Sequence, residues 1–137
     1  MNARTTTARW LMGIGCLNVA AGAVLHLAGG YHEVEAGVLA SNLDTVLKSA
    51  LRCVFLIVGC HWIVLAMITS IAAFSRASIR ETVVLLCALA LIIDSSLMAA
   101  FLGWFVGTDM ILASALLILC GGFTLAPAGT VVETRAE

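Results

Sequence analysis

Residues 82–106 read TVVLLCALALIIDSSLMAAFLGWFV, and their one charged side chain is Asp94. A helix needs about 20 mostly apolar residues to cross the hydrocarbon of a bilayer, so this stretch is long enough to span with a carboxyl inside it. Three further stretches reach or approach that length, 10–28, 51–74 and 110–128. Residues 75–81 join the second and third spans, and Gly107-Thr108-Asp109 alone joins the third and fourth, so neighbouring spans have to be antiparallel hairpins. The sequence predicts an all-α integral membrane four-helix bundle: one four-span domain over 1–128 and a short polar tail over 129–137.

Composition agrees with this reading and narrows the partners. Of the 137 residues, 62% are hydrophobic and 11% charged, and the mean hydropathy is +1.11. Soluble domains run at roughly 45–50% apolar and about 25% charged, which excludes a water-soluble class. Phosphate backbones are bound by dense Lys/Arg surfaces; the seven basic residues here are scattered and the formal net charge is −1, so no nucleic-acid partner is expected. The expected surroundings are the lipid bilayer, a hydrophobic small molecule or other membrane subunits, with a homo-oligomer as a further possibility.

Lys and Arg in short flanks set orientation. Arg4, Arg9, Arg76, Arg80 and Arg135 fall on one side, against Lys48 and Arg52 on the other. Both termini are therefore expected to be cytoplasmic in a multi-pass protein of the cell inner membrane, with the first loop and its His32, Glu33, Glu35 and Asp44 facing outward. Ser41-Asn42-Leu43-Asp44 and Ser78-Ile79-Arg80-Glu81 fit the capping box, which starts the third helix near Ile79 and lets the second begin near Asn42, about two turns above the membrane. A basic start before Ala20-Ala21-Gly22-Ala23 also fits a secretory signal. That stretch is long for a signal and no A-x-A site closes it, so the first span is expected to be retained.

An ionisable group within a span costs about 2.5–3.5 kcal/mol on insertion scales and calls for a partner or a purpose. Four qualify: His26, Arg52, His61 and Asp94. At about 1.5 Å per residue, Arg52 lies near the outer surface, His61 close to the midplane, Asp94 near or slightly outside it, and His26 at the outer end of the first span. Asp94 precedes a small-residue run, Ser95, Ala99 and Gly103, that lets a second backbone come close. It reads either as a proton or cation site or as a hydrogen-bonded structural clamp to His26, His61, Arg52 or a Ser hydroxyl. Arg52 and His61, nine residues apart on one helix, face opposite ways and cannot both reach Asp94. Arg52 shares its face with Asp44, Lys48, Phe55, Gly59 and Trp62, a stripe that suits the mouth of a cavity or a snorkelling arginine.

Other chemistry finds little support. A bis-histidine haem needs two His at matching depth, and His26 lies well outside His61. His32, Glu33 and Glu35 form at most a weak outward metal site without recognised spacing, so no cofactor is expected. Cys16, Cys53, Cys60, Cys87 and Cys120 include no CxxC, which disfavours a disulfide oxidoreductase. No triad, phosphate loop or carboxylate pair can be assembled, and the first span lacks the buried Glu that small multidrug-resistance transporters place there.

Leu25-His26-Leu27, Leu51-Arg52 and Gly59-Cys60-His61-Trp62 give a layout that resembles the small four-helix bacterial DoxX-like group across most of the chain. The resemblance implies a fold and little about activity. The expected function is a binding or accessory component of the membrane. A small proton- or cation-coupled transporter using Asp94 is the alternative, and a membrane-embedded redox or isomerising enzyme using His61 and Asp94 the second.

Overall fold

The computed structural model describes residues 3–75 and 77–125, and these contain helices and no strands. Helix α1 is Ala3–Leu25, α2 Tyr31–Ala40, α3 Thr45–Ala73, α4 Ala77–Leu102 and α5 Val106–Leu125, with a single π turn, His26–Gly30, joining α1 to α2. Four helical stretches are long and apolar enough to cross a membrane: Ala3–Ala40, Thr45–Ala73, Arg80–Leu102 and Val106–Leu125. They pack as a ring in which α1 lies between α3 and α5, and α4 between α5 and α3.

Core positions recur at alternating steps of three and four. In α1 they are Ala8, Met12, Gly15, Cys16, Val19 and Ala23, and in α5 Thr108, Ile111, Ser114, Ala115, Ile118, Gly121 and Gly122. That spacing keeps one seam of each helix facing its neighbour. The outward faces are just as apolar, with Leu17, Ile71, Leu86, Phe101 and Phe123 among the exposed side chains.

The α1–α5 seam is closed by missing side chains. A Cβ on Gly15 would lie 2.8 Å from Ile118 Cγ1 and 3.0 Å from the Ser114 carbonyl oxygen, and one on Gly121 only 2.8 Å from the Ala8 carbonyl oxygen and 3.0 Å from the Met12 nitrogen. Small residues give helices this approach where no hydrophobic force drives them together. Asn18 adds a polar clamp across the seam, its Nδ2 donating to the Met110 carbonyl at 3.0 Å and to Ser114 Oγ at 2.8 Å. At one end of the bundle Arg4 Nε donates to the Thr124 carbonyl at 3.0 Å and Arg80 Nη2 to the Leu125 carbonyl at 2.9 Å. These cations bond carbonyls at the negative, C-terminal end of α5.

Several sequence expectations are corrected. The stretch after residue 28 is not a loop: the π turn takes in Gly29 and Gly30, and α2 carries the helix on to Ala40. A π turn closes i→i+5 rings and accommodates an extra residue without ending the helix. Ser41 does not open the next helix. Its hydroxyl donates back to the Val38 carbonyl at 2.6 Å, while Asp44 is the N-cap of α3 and accepts from the Leu47 amide at 2.9 Å. α4 starts at Ala77 rather than near Ile79.

At the far end of α4 the helix stops at Leu102, where Gly103 adopts φ +80° and its amide donates to the Ala99 carbonyl at 3.1 Å. Glycine takes this left-handed position without a Cβ penalty, so Gly103 terminates the helix and no helix packs on it: a Cβ there would meet nothing within 4 Å. Residues 103–105, apolar enough to pass as span, are the link, and Gly107-Thr108-Asp109 belongs to the first turn of α5. The expected Arg76 position, the end of the fourth span beyond Leu125 and the tail over 129–137 with Arg135 lie outside the described residues.

Candidate functional site

At about 1.5 Å per residue the 38 residues of Ala3–Ala40 reach about 57 Å, far beyond the roughly 30 Å of a hydrocarbon core. The α2–α3 hairpin accordingly rises past the α4–α5 turn. Under this overhang lies a cavity of about 530 Å³, walled by α1, the π turn, α2, α3, the end of α4 and the start of α5. Trp62 and Ile111 form its buried floor, whereas Leu25, Val54, Leu102 and Val106 form a rim of exposed apolar side chains. The arrangement follows from local sequence. Tyr31, Val34, Glu35 and Val38 recur at i, i+3, i+4 and i+7, which puts them on one face of α2, and these are its partly buried positions.

Two polar side chains reach the wall of this cavity, His26 and Trp62. The His26 ring stacks on Phe55 at a centroid distance of 3.8 Å and an interplanar angle of 18°, with its Nε2 2.9 Å from the Phe55 carbonyl oxygen and the Trp62 ring 5.1 Å away. Gly30 makes room for this stack: a Cβ there would meet Phe55 Cζ at 2.9 Å. Trp62 donates its indole Nε1–H to Asp94 Oδ2 at 2.9 Å, and His61 Nε2 lies 3.4 Å from the same oxygen.

The sequence-predicted residues are thus brought together in part. His61 and Asp94 meet, with Trp62 as a third member that residue-type reasoning passed over because an indole carries no charge. His26 contacts Asp94 only through the intervening Trp62. Arg52 stands apart, about 15 Å farther along α3 than Trp62 at about 1.5 Å per residue: its Nη2 donates to Glu35 and, at 3.1 Å, to the Tyr31 hydroxyl, which itself donates to Glu35 Oε1 at 3.2 Å. Lys48 Nζ adds a bond to the Leu39 carbonyl at 3.0 Å. Together these contacts tie α2 to α3 above the cavity.

Glu35 is engaged in this ion pair with Arg52. His32 meets only the edge of Tyr31, at a centroid distance of 6.1 Å, and among the described residues no three His, Cys, Asp or Glu side chains converge to hold a metal ion. All five cysteines are free thiols.

Exposed ion pairs contribute little to global stability, commonly about 0–1 kcal/mol, but here the pair closes a local hairpin. Arg52→Met is expected to leave the melting temperature nearly unchanged while amide exchange across 31–40 accelerates about fivefold or less, in line with a loss of up to about 1 kcal/mol. Unchanged exchange in α2 would mean that apolar packing alone holds the hairpin.

No family model, no curated protein and no solved structure matches this chain.

Proposed function

We propose that the protein is a multi-pass protein of the cell inner membrane that binds a hydrophobic small molecule or lipid in the cavity beneath the α2–α3 hairpin, as a binding or accessory component. The observation that carries this reading is a cavity of about 530 Å³ with a wholly apolar, exposed rim. Binding sites for small molecules are concave, mostly apolar and equipped with few polar groups. An apolar mouth admits its ligand from the acyl-chain region, not from water. The termini are placed in the cytoplasm, supported by Arg4, Arg9, Arg76, Arg80 and Arg135 against Lys48 and Arg52. The layout likeness to DoxX-like proteins implies a similar fold and adds no activity.

The protein's three tryptophans, Trp10, Trp62 and Trp104, make this testable. With Trp10→Phe and Trp104→Phe, Trp62 reports from the cavity floor. A brominated hexadecane added to nanodiscs holding this protein is expected to quench its fluorescence saturably, and Val58→Phe, which puts a larger ring into the cavity wall, is expected to weaken the saturable component. Quenching that rises linearly with bromide content and ignores Val58→Phe overturns the reading.

A second reading, coupled transport of protons or cations, is favoured by one observation: the His61–Asp94 contact at 3.4 Å within helices of membrane-crossing length. Ionisable pairs at such depth mark ion pathways in many transporters. Four helices make a thin wall around a path, so this reading also requires a homo-oligomer.

A further inference from the structure

His26 lines the cavity, and the chemistry of its second ring nitrogen can be worked out from the partner of the first. His26 Nε2 lies 2.9 Å from the Phe55 carbonyl oxygen. A carbonyl oxygen accepts and cannot donate, so Nε2 carries the hydrogen. In a neutral imidazole one nitrogen is then a donor and the other an acceptor, which leaves Nδ1 as a bare lone pair. Among the described residues no donor reaches it, and it is not sealed inside the protein.

The other polar side chain in the wall is already committed, because the Trp62 N–H is given to Asp94 Oδ2 at 2.9 Å. The ring plane is fixed by the stack on Phe55 at 3.8 Å, so the ring cannot turn to exchange its nitrogens without giving up both contacts. We infer that the cavity selects an apolar alcohol, a ligand with a hydrophobic body and one hydroxyl whose O–H donates to His26 Nδ1; this rests on the binding function proposed above. A carboxylate or a ketone of the same shape would set its own lone pairs against that of Nδ1. A hydrocarbon or an ether would fill the space and leave Nδ1 without a donor. Ammonium donors are excluded on a different ground, since the wall offers a cation no counter-charge.

The test uses the protein with Trp10→Phe and Trp104→Phe in nanodiscs at about pH 8. Bound brominated hexadecane is displaced by hexadecan-1-ol, methyl hexadecyl ether or hexadecanoate at matched mole fractions in the bilayer. The alcohol is expected to displace at about a tenfold lower mole fraction than the ether, the worth of one net hydrogen bond, and this preference is expected to vanish in His26→Phe. Because His26→Phe also removes the bond to Phe55, a second readout needs no substitution. With ¹⁵N-histidine, the non-protonated ring nitrogen of His26 should shift on adding the alcohol and stay put on adding the ether. Saturable binding in which alcohol and ether displace equally, or hexadecanoate displaces best, overturns the alcohol preference and leaves the binding function standing. A His26 whose Nδ1 carries the proton in the ligand-free protein overturns it as well. Absence of any saturable quenching removes both.

Discussion

Gly121→Leu is expected to prevent the bundle from assembling, and Gly121→Ala to destabilise it by about 1–3 kcal/mol, the usual range for overpacking a tight interior. The reason is what the new Cβ would strike. It would stand 2.8 Å from the Ala8 carbonyl oxygen and 3.0 Å from the Met12 nitrogen, and backbone atoms in the middle of a helix cannot swing aside as a side-chain tip can. α1 and α5 would have to separate, and with them Gly15 on Ile118 and the Asn18 bonds to Met110 and Ser114 would be lost. Gly13→Leu is the matched control: it lies on the same helix pair, its Cβ would meet nothing within 4 Å, and it replaces a flexible residue in a helix by a good helix former. Stability to detergent unfolding should fall sharply for Gly121→Ala and hold or rise for Gly13→Leu. Equal effects would show that the α1–α5 seam is looser than its glycines imply.

The same seam shows which parts of the fold were legible in the sequence. Four apolar stretches could be counted because a bilayer demands their length. Their pairing within the ring could not, because the outward faces are as apolar as the inward ones: Leu17 and Phe123 are exposed while Val19 and Ile118 are buried. In water, hydrophobic periodicity separates the two faces; in a chain of this composition the separating signal is residue size. Gly15, Gly121 and Gly122 carry that signal, whereas the small-residue run Ser95, Ala99 and Gly103 closes on a glycine that ends a helix. The π turn was hidden for a related reason, since a Gly29-Gly30 pair followed by His32, Glu33 and Glu35 has the composition of a loop. The spacing of Tyr31, Val34, Glu35 and Val38 was the visible sign that the helix goes on.

For the candidate site, the charged residues were legible and their partners were not. Ionisable types stand out against an apolar background, so Asp94, His61, Arg52 and His26 could be picked by type alone. Which of them meet depends on the register between helices, and that register is set by close contacts such as Gly59 against Leu27 and Gly30 against Phe55. Arg52 illustrates the consequence. Read within a span it called for an intramembrane partner, but α2 extends far enough to supply Glu35 and Tyr31. The cavity itself left only a partial trace, Phe55 and Trp62 below Arg52 on α3, because most of its wall comes from elements that the sequence presented as separate.

Trp62→Phe is expected to lower stability by about 1–3 kcal/mol, the cost of leaving a hydrogen-bonding partner unsatisfied away from water. Phenylalanine keeps an aromatic floor in the cavity and removes the indole N–H that donates to Asp94 Oδ2 at 2.9 Å, together with part of the buried ring volume. His61, 3.4 Å from the same oxygen, is a longer contact and does not replace it. Asp94→Leu alone should cost a similar amount by stranding the Trp62 N–H, yet Trp62→Phe with Asp94→Leu should lose less than the sum, because neither the indole N–H nor the carboxyl is then left without the other; a coupling of about 1–2 kcal/mol is expected for groups in direct contact. Strict additivity would mean that the two side chains do not share a bond in the bilayer. Asp94→Asn separates structure from ion movement, since its amide oxygen still accepts from Trp62 while the group no longer exchanges a proton. Under the binding function, Asp94→Asn protein should take up brominated hexadecane like the parent and carry no gradient-driven flux in liposomes, as the parent carries none. Under the transport reading, the parent should carry such flux and Asp94→Asn should abolish it with binding intact. The cavity and the carboxyl meet at Trp62, one face toward each, so a ligand that changes the hydrogen bond to Asp94 in the parent and leaves ion flux absent would assign the cluster to holding the cavity floor in place.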